Sequence, residues 1–253
     1  MSAAIRPLQA ARKPATGGPT RLAAGFTLLE LALVLFVLTL LMAGMMTPLT
    51  RQITERQALE TRRAMAEARD ALLGYALGHR DPAGRPYLPC PDQRSGPHAG
   101  DGLEDRRPDG GCVTDHGLLP WATLGLTQAD AWGNRYSYAV APAYAHAQAG
   151  ISAHPPPPTT LTLCLGHGCA SRLQPAAILV SHGPNGLGAT NSVGGRNLPP
   201  NGADERQNAD DDGVFVSRSP TTADRPGGEF DDLVLWLSAS GLIGQLCGAA
   251  AAC

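Results

Sequence analysis

A chain of 253 residues is long enough for one or two domains. Its 43% apolar content permits a real core, while 5% aromatics beside 30 Gly and 22 Pro point to a modest body rich in loops. A formal charge of −2 excludes a nucleic-acid binder recognised by charge alone.

The charge is unevenly placed. Arg6, Arg12, Lys13 and Arg21 precede Gly25, and no acid does. Residues 1–25 show no apolar periodicity and read as a flexible cytoplasmic segment. Residues 26–48, Phe26 to Pro48, are mostly apolar and make about 34 Å of helix, enough to span a hydrocarbon core. Basic residues ahead of the span place the N-terminus inside the cell and the rest of the chain outside it. An ordinary secretory signal needs a small-residue cleavage site after the apolar stretch, and Leu41 or Met42 stands there instead. Glu30 interrupts the span near its start. A carboxylate at the centre of a membrane helix costs roughly 2.5–3.5 kcal/mol, so this one calls for a partner.

The run "GFTLLE", Gly25 to Glu30, followed by an apolar helix, resembles the N-terminal signature of type IV pilins and type II secretion pseudopilins. The resemblance implies that a prepilin peptidase cuts after Gly25 and that the new N-terminal residue, Phe26, is methylated on its amine. Glu30 is then the family's hallmark acid, five residues into the mature chain. Implied partners are homologous pilin-like subunits, the peptidase, an assembly platform with its ATPase, and the inner membrane, but no nucleic acid. Physics supplies a role for the acid. The amine of one subunit can meet Glu30 of its neighbour, which removes an uncompensated charge from an apolar bundle.

Residues 49–80 hold strong helix formers. Ala58, Met65, Leu72 and Ala76 share one face, and Leu59, Ala66, Leu73 and Leu77 form an adjacent row. The helix is expected to end between Leu77 and Asp81, ahead of Pro82 and Gly84. Residues 81–253 then read as a β-rich periplasmic domain. The stretch from Cys90 to Cys112 is nearly devoid of apolar residues and reads as a long surface loop. Trp121 is a candidate core anchor. Asp130–Asn134 form a turn, followed by a strand with Tyr136, Tyr138 and Val140 alternating. "DAWGNRYSY" resembles a stretch of major pseudopilins, with Ala131 in place of a proline. A hairpin with Gly166–Gly168 at its tip, a buried strand at Ala176–Val180 and a last strand at Leu233–Leu237 complete the pattern. Strands in sequence with short turns predict an antiparallel sheet covered by the long helix. The expected fold is α+β and pilin-like.

All six cysteines follow the apolar segment, on the side where disulfides form. Proximity favours the pairs Cys90–Cys112, Cys164–Cys169 and Cys247–Cys253, the longest loop stabilising by about 3 kcal/mol. A zinc site at Cys164, His167 and Cys169 has only three ligands and an oxidising address. "NADDDG" and "EFDD" cluster hard oxygen ligands, and Asp210, Asp212 and Asp231 are candidate ligands for calcium, which the pseudopilin resemblance also implies. Neither Ser181–His182 nor Ser95–His98 sits in a nucleophile elbow, so no catalytic residue is assigned. The reading is a structural filament subunit of a type II secretion pseudopilus or a type IV pilus. The alternative is a periplasmic binding module or enzyme on an uncleaved anchor.

Overall fold

A computed structural model of the chain describes residues 27–248. The leader, the Gly25–Phe26 junction and Cys253 lie outside the described residues, as do the side chains of residues 43–51. The structure divides into two units at Leu49–Thr50.

In the first unit the helix α1 (Leu28–Gly78) begins. Thr27 precedes it, and its Oγ1 accepts a hydrogen bond from the Glu30 N–H at 3.2 Å. Thr27 is therefore an N-cap, with Glu30 three residues on in the first turn, where an acid is favoured. From Leu28 to Met42 the large apolar side chains are exposed, Leu28 at 86% and Met42 at 65%. Among the described residues no helix is long and apolar enough to cross a membrane.

In the second unit α1 runs from Thr50 to Gly78 and then stops. Asp81 secures the stop: its carboxylate accepts from the N–H groups of Ala83, Arg85 and Gly150 and from the Arg85 guanidinium. Burial pushes this carboxyl up, but those donors outweigh it and hold its pKa below the usual carboxylate range. The buried face of α1 is Thr61, Met65, Ala68, Leu72, Tyr75 and Ala76. Burying a side chain such as Met65 or Leu72 contributes roughly 1.5–3 kcal/mol. In the adjacent row Leu73 is half-buried against the core, while Leu59 is 52% and Leu77 53% exposed.

The remaining elements follow in order: β1 (His116–Leu118), α2 (Trp121–Leu124), β2 (Asn134–Arg135), β3 (Ser137–Val140), α3 (Pro142–Ala145), β4 (Thr162–Leu165) and β5 (Ser171–Leu173). Next come β6 (Pro175–Ser181), β7 (Thr190–Asn191), α4 (Ala203–Gln207), β8 (Val214–Ser217), β9 (Leu233–Ser238) and α5 (Ala239–Cys247). The main sheet has the order β1-β3-β6-β9 and is antiparallel throughout. All seven residues of β6 are buried, as its continuous apolar run requires of a strand covered on both faces. β3 and β6 share one core with Met65, Leu72 and Ala76 of α1.

The expected α+β, pilin-like fold of one long helix on one antiparallel sheet is overturned. The body is mixed α/β. Three sheets form among the described residues, and β8 pairs with β4 in parallel. α1 divides between the two units, and the helices α2 to α5 are short, four to nine residues. Short turns do not link all the strands. Between β4 and β8 the chain passes through β5, β6, β7 and α4, and that long return permits a parallel pair.

The loop from Cys90 to Cys112 is ordered by polar contacts in place of apolar ones. The two cysteines form a disulfide. Asp92, fully buried, accepts from the N–H groups of Gly100 and Gly102 at 2.8 Å each. Burial raises its pKa to about 6 despite those bonds. Arg106 pairs with Glu104 at 2.8 Å. Gly102 has φ +82°, and a Cβ there would lie 2.3 Å from the Trp121 ring, so only glycine fits. Trp121 is thus half-buried beneath this loop, while Leu118 and Leu119 are the core residues beside it. A second disulfide joins Cys164 to Cys169, which removes the zinc reading. Cys247 is also disulfide-bonded.

Candidate functional site

Three carboxylates converge where α4, the loop after β6 and the entry to β9 meet. Glu205, Asp231 and Asp232 each present an oxygen within 4.8 Å of the others. Glu205 Oε1 accepts from the Asp231 N–H at 2.9 Å and from Asn185 Nδ2 at 3.2 Å. Asp231 Oδ2 accepts from the Asn185 N–H at 3.1 Å. Asp232 Oδ2 accepts from Asn208 Nδ2 at 2.7 Å. The other oxygens, Asp231 Oδ1 and Asp232 Oδ1, are buried without a hydrogen-bond partner. The Asp232 side chain is 1% exposed.

The chain folds closely here because it can. Gly183 has φ +59°, and a Cβ there would lie 2.3 Å from Asp231 Oδ1. Glycine lets the loop after β6 press against the acids.

The electrostatics are adverse. Burial raises the Asp231 pKa to about 7, and Glu205 and Glu229 add to the rise. Burial likewise pushes Asp232 well above the carboxylate range and raises Glu205. Two like charges about 4 Å apart repel by about 4 kcal/mol at an effective dielectric of about 20. Three ionised carboxylates therefore do not coexist here without compensation. Protons or a cation must supply it, and the two unpartnered oxygens are where either would sit. An all-oxygen set suits a hard cation such as calcium, bound at about 2.3–2.6 Å.

The sequence-derived ligands are only partly brought together. Asp231 belongs to the cluster. Asp210 and Asp212 do not: they are exposed and accept from Gln207 Nε2 at 3.3 and 2.9 Å. Glu205 was missed. Its signal was an acid on a short segment, α4, facing the "EFDD" run that holds Asp232.

Beside the cluster lies a buried polar chain. Arg94 donates to Ser137 Oγ at 2.7 Å, and that oxygen is 2.9 Å from His182 Nε2. His182 Nδ1 stands 3.8 Å from Asp232 Oδ1, beyond hydrogen-bond reach. Burial, then Arg94 and Arg196, drive the His182 pKa down to about 3, so the ring is neutral. Ser137, His182 and Asp232 have the order of a hydrolytic triad but are 5%, 0% and 4% exposed, which leaves a substrate no approach. Ser181 instead donates to Asp130, whose carboxylate also accepts from Trp132 and Asn134. That is the structural role of "DAWGN". His98 faces Asp101.

Compared with known proteins, the chain matches no family model, no curated protein and no solved structure.

Proposed function

We propose that the chain is a structural filament subunit, cut after Gly25 by a prepilin peptidase, held in the inner membrane by its apolar N-terminal segment, and polymerised from there. A type II secretion pseudopilus is preferred over a type IV pilus. The observation that carries the proposal is the run of uncovered apolar side chains after "GFT", from Leu28 at 86% to Phe36 at 64% and Met42 at 65%. Such a surface does not persist in water. Lipid covers it before assembly and neighbouring subunits cover it afterwards. Residues 28–42 make about 22 Å of helix, short of the roughly 30 Å hydrocarbon core; the expected span adds residues 26–27 and 43–48. The globular body faces the periplasm, where its disulfides are stable.

Within this reading the Glu205–Asp231–Asp232 cluster is a calcium site that ties α4 to the entry of β9. Asp232 Oδ1, buried and unpartnered, supports it.

The test of the subunit reading is the N-terminal mass of protein extracted from membranes. A chain that begins with methylated Phe26 is expected. A chain that begins at Met1 contradicts the proposal and leaves the anchored binding module or enzyme.

A further inference from the structure

The second unit carries two surfaces of opposite charge whose ionic groups are only partly paired among the described residues. The first is a groove of about 650 Å³ between α1 and the edge of the main sheet. Its floor is apolar, from Met65 and the half-buried Leu233 and Trp236 of β9, the strand that ends the sheet order. Asp232 also lines it, but that side chain is 1% exposed and bonded to Asn208. Its walls bring Arg62, Arg69 and Arg218 together. Arg218 is ion-paired with Asp204 at 2.7 Å. Among the described residues the only ion pair of Arg69 is with the exposed Asp70, at 3.6 Å. Arg62 is exposed, and no ion pair to it forms among the described residues.

The second surface is the turn Asp210–Asp212, exposed at all three residues. Asp211, at φ +60°, adopts a left-handed conformation rare outside glycine. Its carboxylate is paired with Arg94 at 2.5 Å. Asp210 and Asp212 accept from neutral donors alone: Gln207 Nε2, the Val214 N–H and the Asp212 N–H. Among the described residues two carboxylates therefore have no cation paired with them, on the same chain as a groove with two weakly engaged guanidiniums.

We infer that the arginine groove of one copy receives the Asp210–Asp212 turn of a second copy. The arginine fork matches a carboxylate, and the half-buried strand edge supplies apolar area beneath it. The contact inferred is head-to-tail, one groove to one turn, so that each joined pair leaves a groove and a turn unused. A contact of that kind continues into an open chain unless its rotation closes a ring. The inference deepens the filament reading by naming a body-to-body contact, and it rests on that reading for its setting.

Full-length protein in detergent, with a photo-activated cross-linker attached at a Ser219→Cys substitution on the groove rim, provides the test. The unaltered surfaces are expected to give a ladder of cross-linked oligomers. R62D/R69D makes both surfaces acidic, and D210R/D212R makes both basic. Each alone is expected to lose about tenfold of the cross-linked product. Their mixture is expected to regain the ladder, because each then offers what the other lacks. Should R62D/R69D misfold, R62D at the exposed position serves in its place. Cross-linking unchanged in either variant, or not regained in the mixture, overturns the groove. A charge-dependent ladder from a chain still bearing Met1 would sink the filament reading and leave the groove standing. A properly cut chain indifferent to the swaps would do the reverse.

Discussion

Calcium added to the metal-free protein at neutral pH raises its melting temperature by roughly 5–10 °C once its concentration is about a hundredfold above Kd. The rise follows from ligand binding to the folded state alone, worth about 2.7 kcal/mol at that ratio. Asp232→Asn abolishes the response. It keeps the shape that Asn208 grips but removes the charge of the buried, unpartnered oxygen. Without calcium the same variant is as stable as the parent, or more so, because a buried carboxylate has been neutralised. A variant that merely damaged the fold would lower the baseline too, so the two readouts together separate a ligand from a structural residue.

The sign with pH is opposite to that of ordinary salt-bridged acids. Asp231 titrates near 3.8 when unfolded and at about 7 when folded, chiefly through burial. Between those values the folded state holds a proton that the unfolded chain has released. The stability that Asp231 contributes to the metal-free protein is therefore present below about pH 4 and is lost as pH rises to about 7. Asp232 and Glu205 act in the same direction. Calcium replaces the missing protons and removes the decline. Thermal melts across that range, with calcium and with chelator, check both statements.

Glu30→Gln leaves the precursor inserted and cut but reduces filament yield by at least about tenfold. The choice of glutamine matters. Thr27 caps α1 by accepting from the Glu30 N–H, a bond to the backbone that any side chain at position 30 preserves. Glutamine is also as good a residue as glutamate three positions after a threonine cap. What it lacks is the charge. If Glu30 serves only to start the helix, Glu30→Gln assembles normally. If Glu30 answers the Phe26 amine of a neighbour, the variant leaves that ammonium unpaired in an apolar bundle, at a cost of several kcal/mol. Electron microscopy of sheared filaments, with the cut confirmed by mass, measures the difference.

Much of the body was legible because local signals agree with tertiary ones. "AAILV" has no polar face to offer solvent and becomes the central strand β6. Cys90 and Cys112 bracket a run with little apolar content of its own, and they are bonded. The α1 face was half-legible: Met65, Leu72 and Ala76 are buried as periodicity predicts, but Ala68 and Tyr75 complete the stripe in place of Leu59 and Leu77. The sheet order was not legible, since the parallel β4–β8 pair depends on a return through four intervening elements. The acidic cluster is half-legible: Asp231 belongs to it, as the sequence suggests, but Asp210 and Asp212 lie one loop off. Acid density singled out Asp210 and Asp212, whereas burial makes a site, and Glu205 and Asp232 are the acids that the fold takes out of water. Density of like charge in a short run is the mark of a solvated turn.

The central claim is an ion pair between protomers, and a filament reconstruction that resolves side chains tests it most directly. The account predicts the methylated Phe26 amine of one subunit within about 4 Å of the Glu30 carboxylate of the next, both shielded from solvent. Amine and carboxylate well separated, each hydrated on its own, would contradict it.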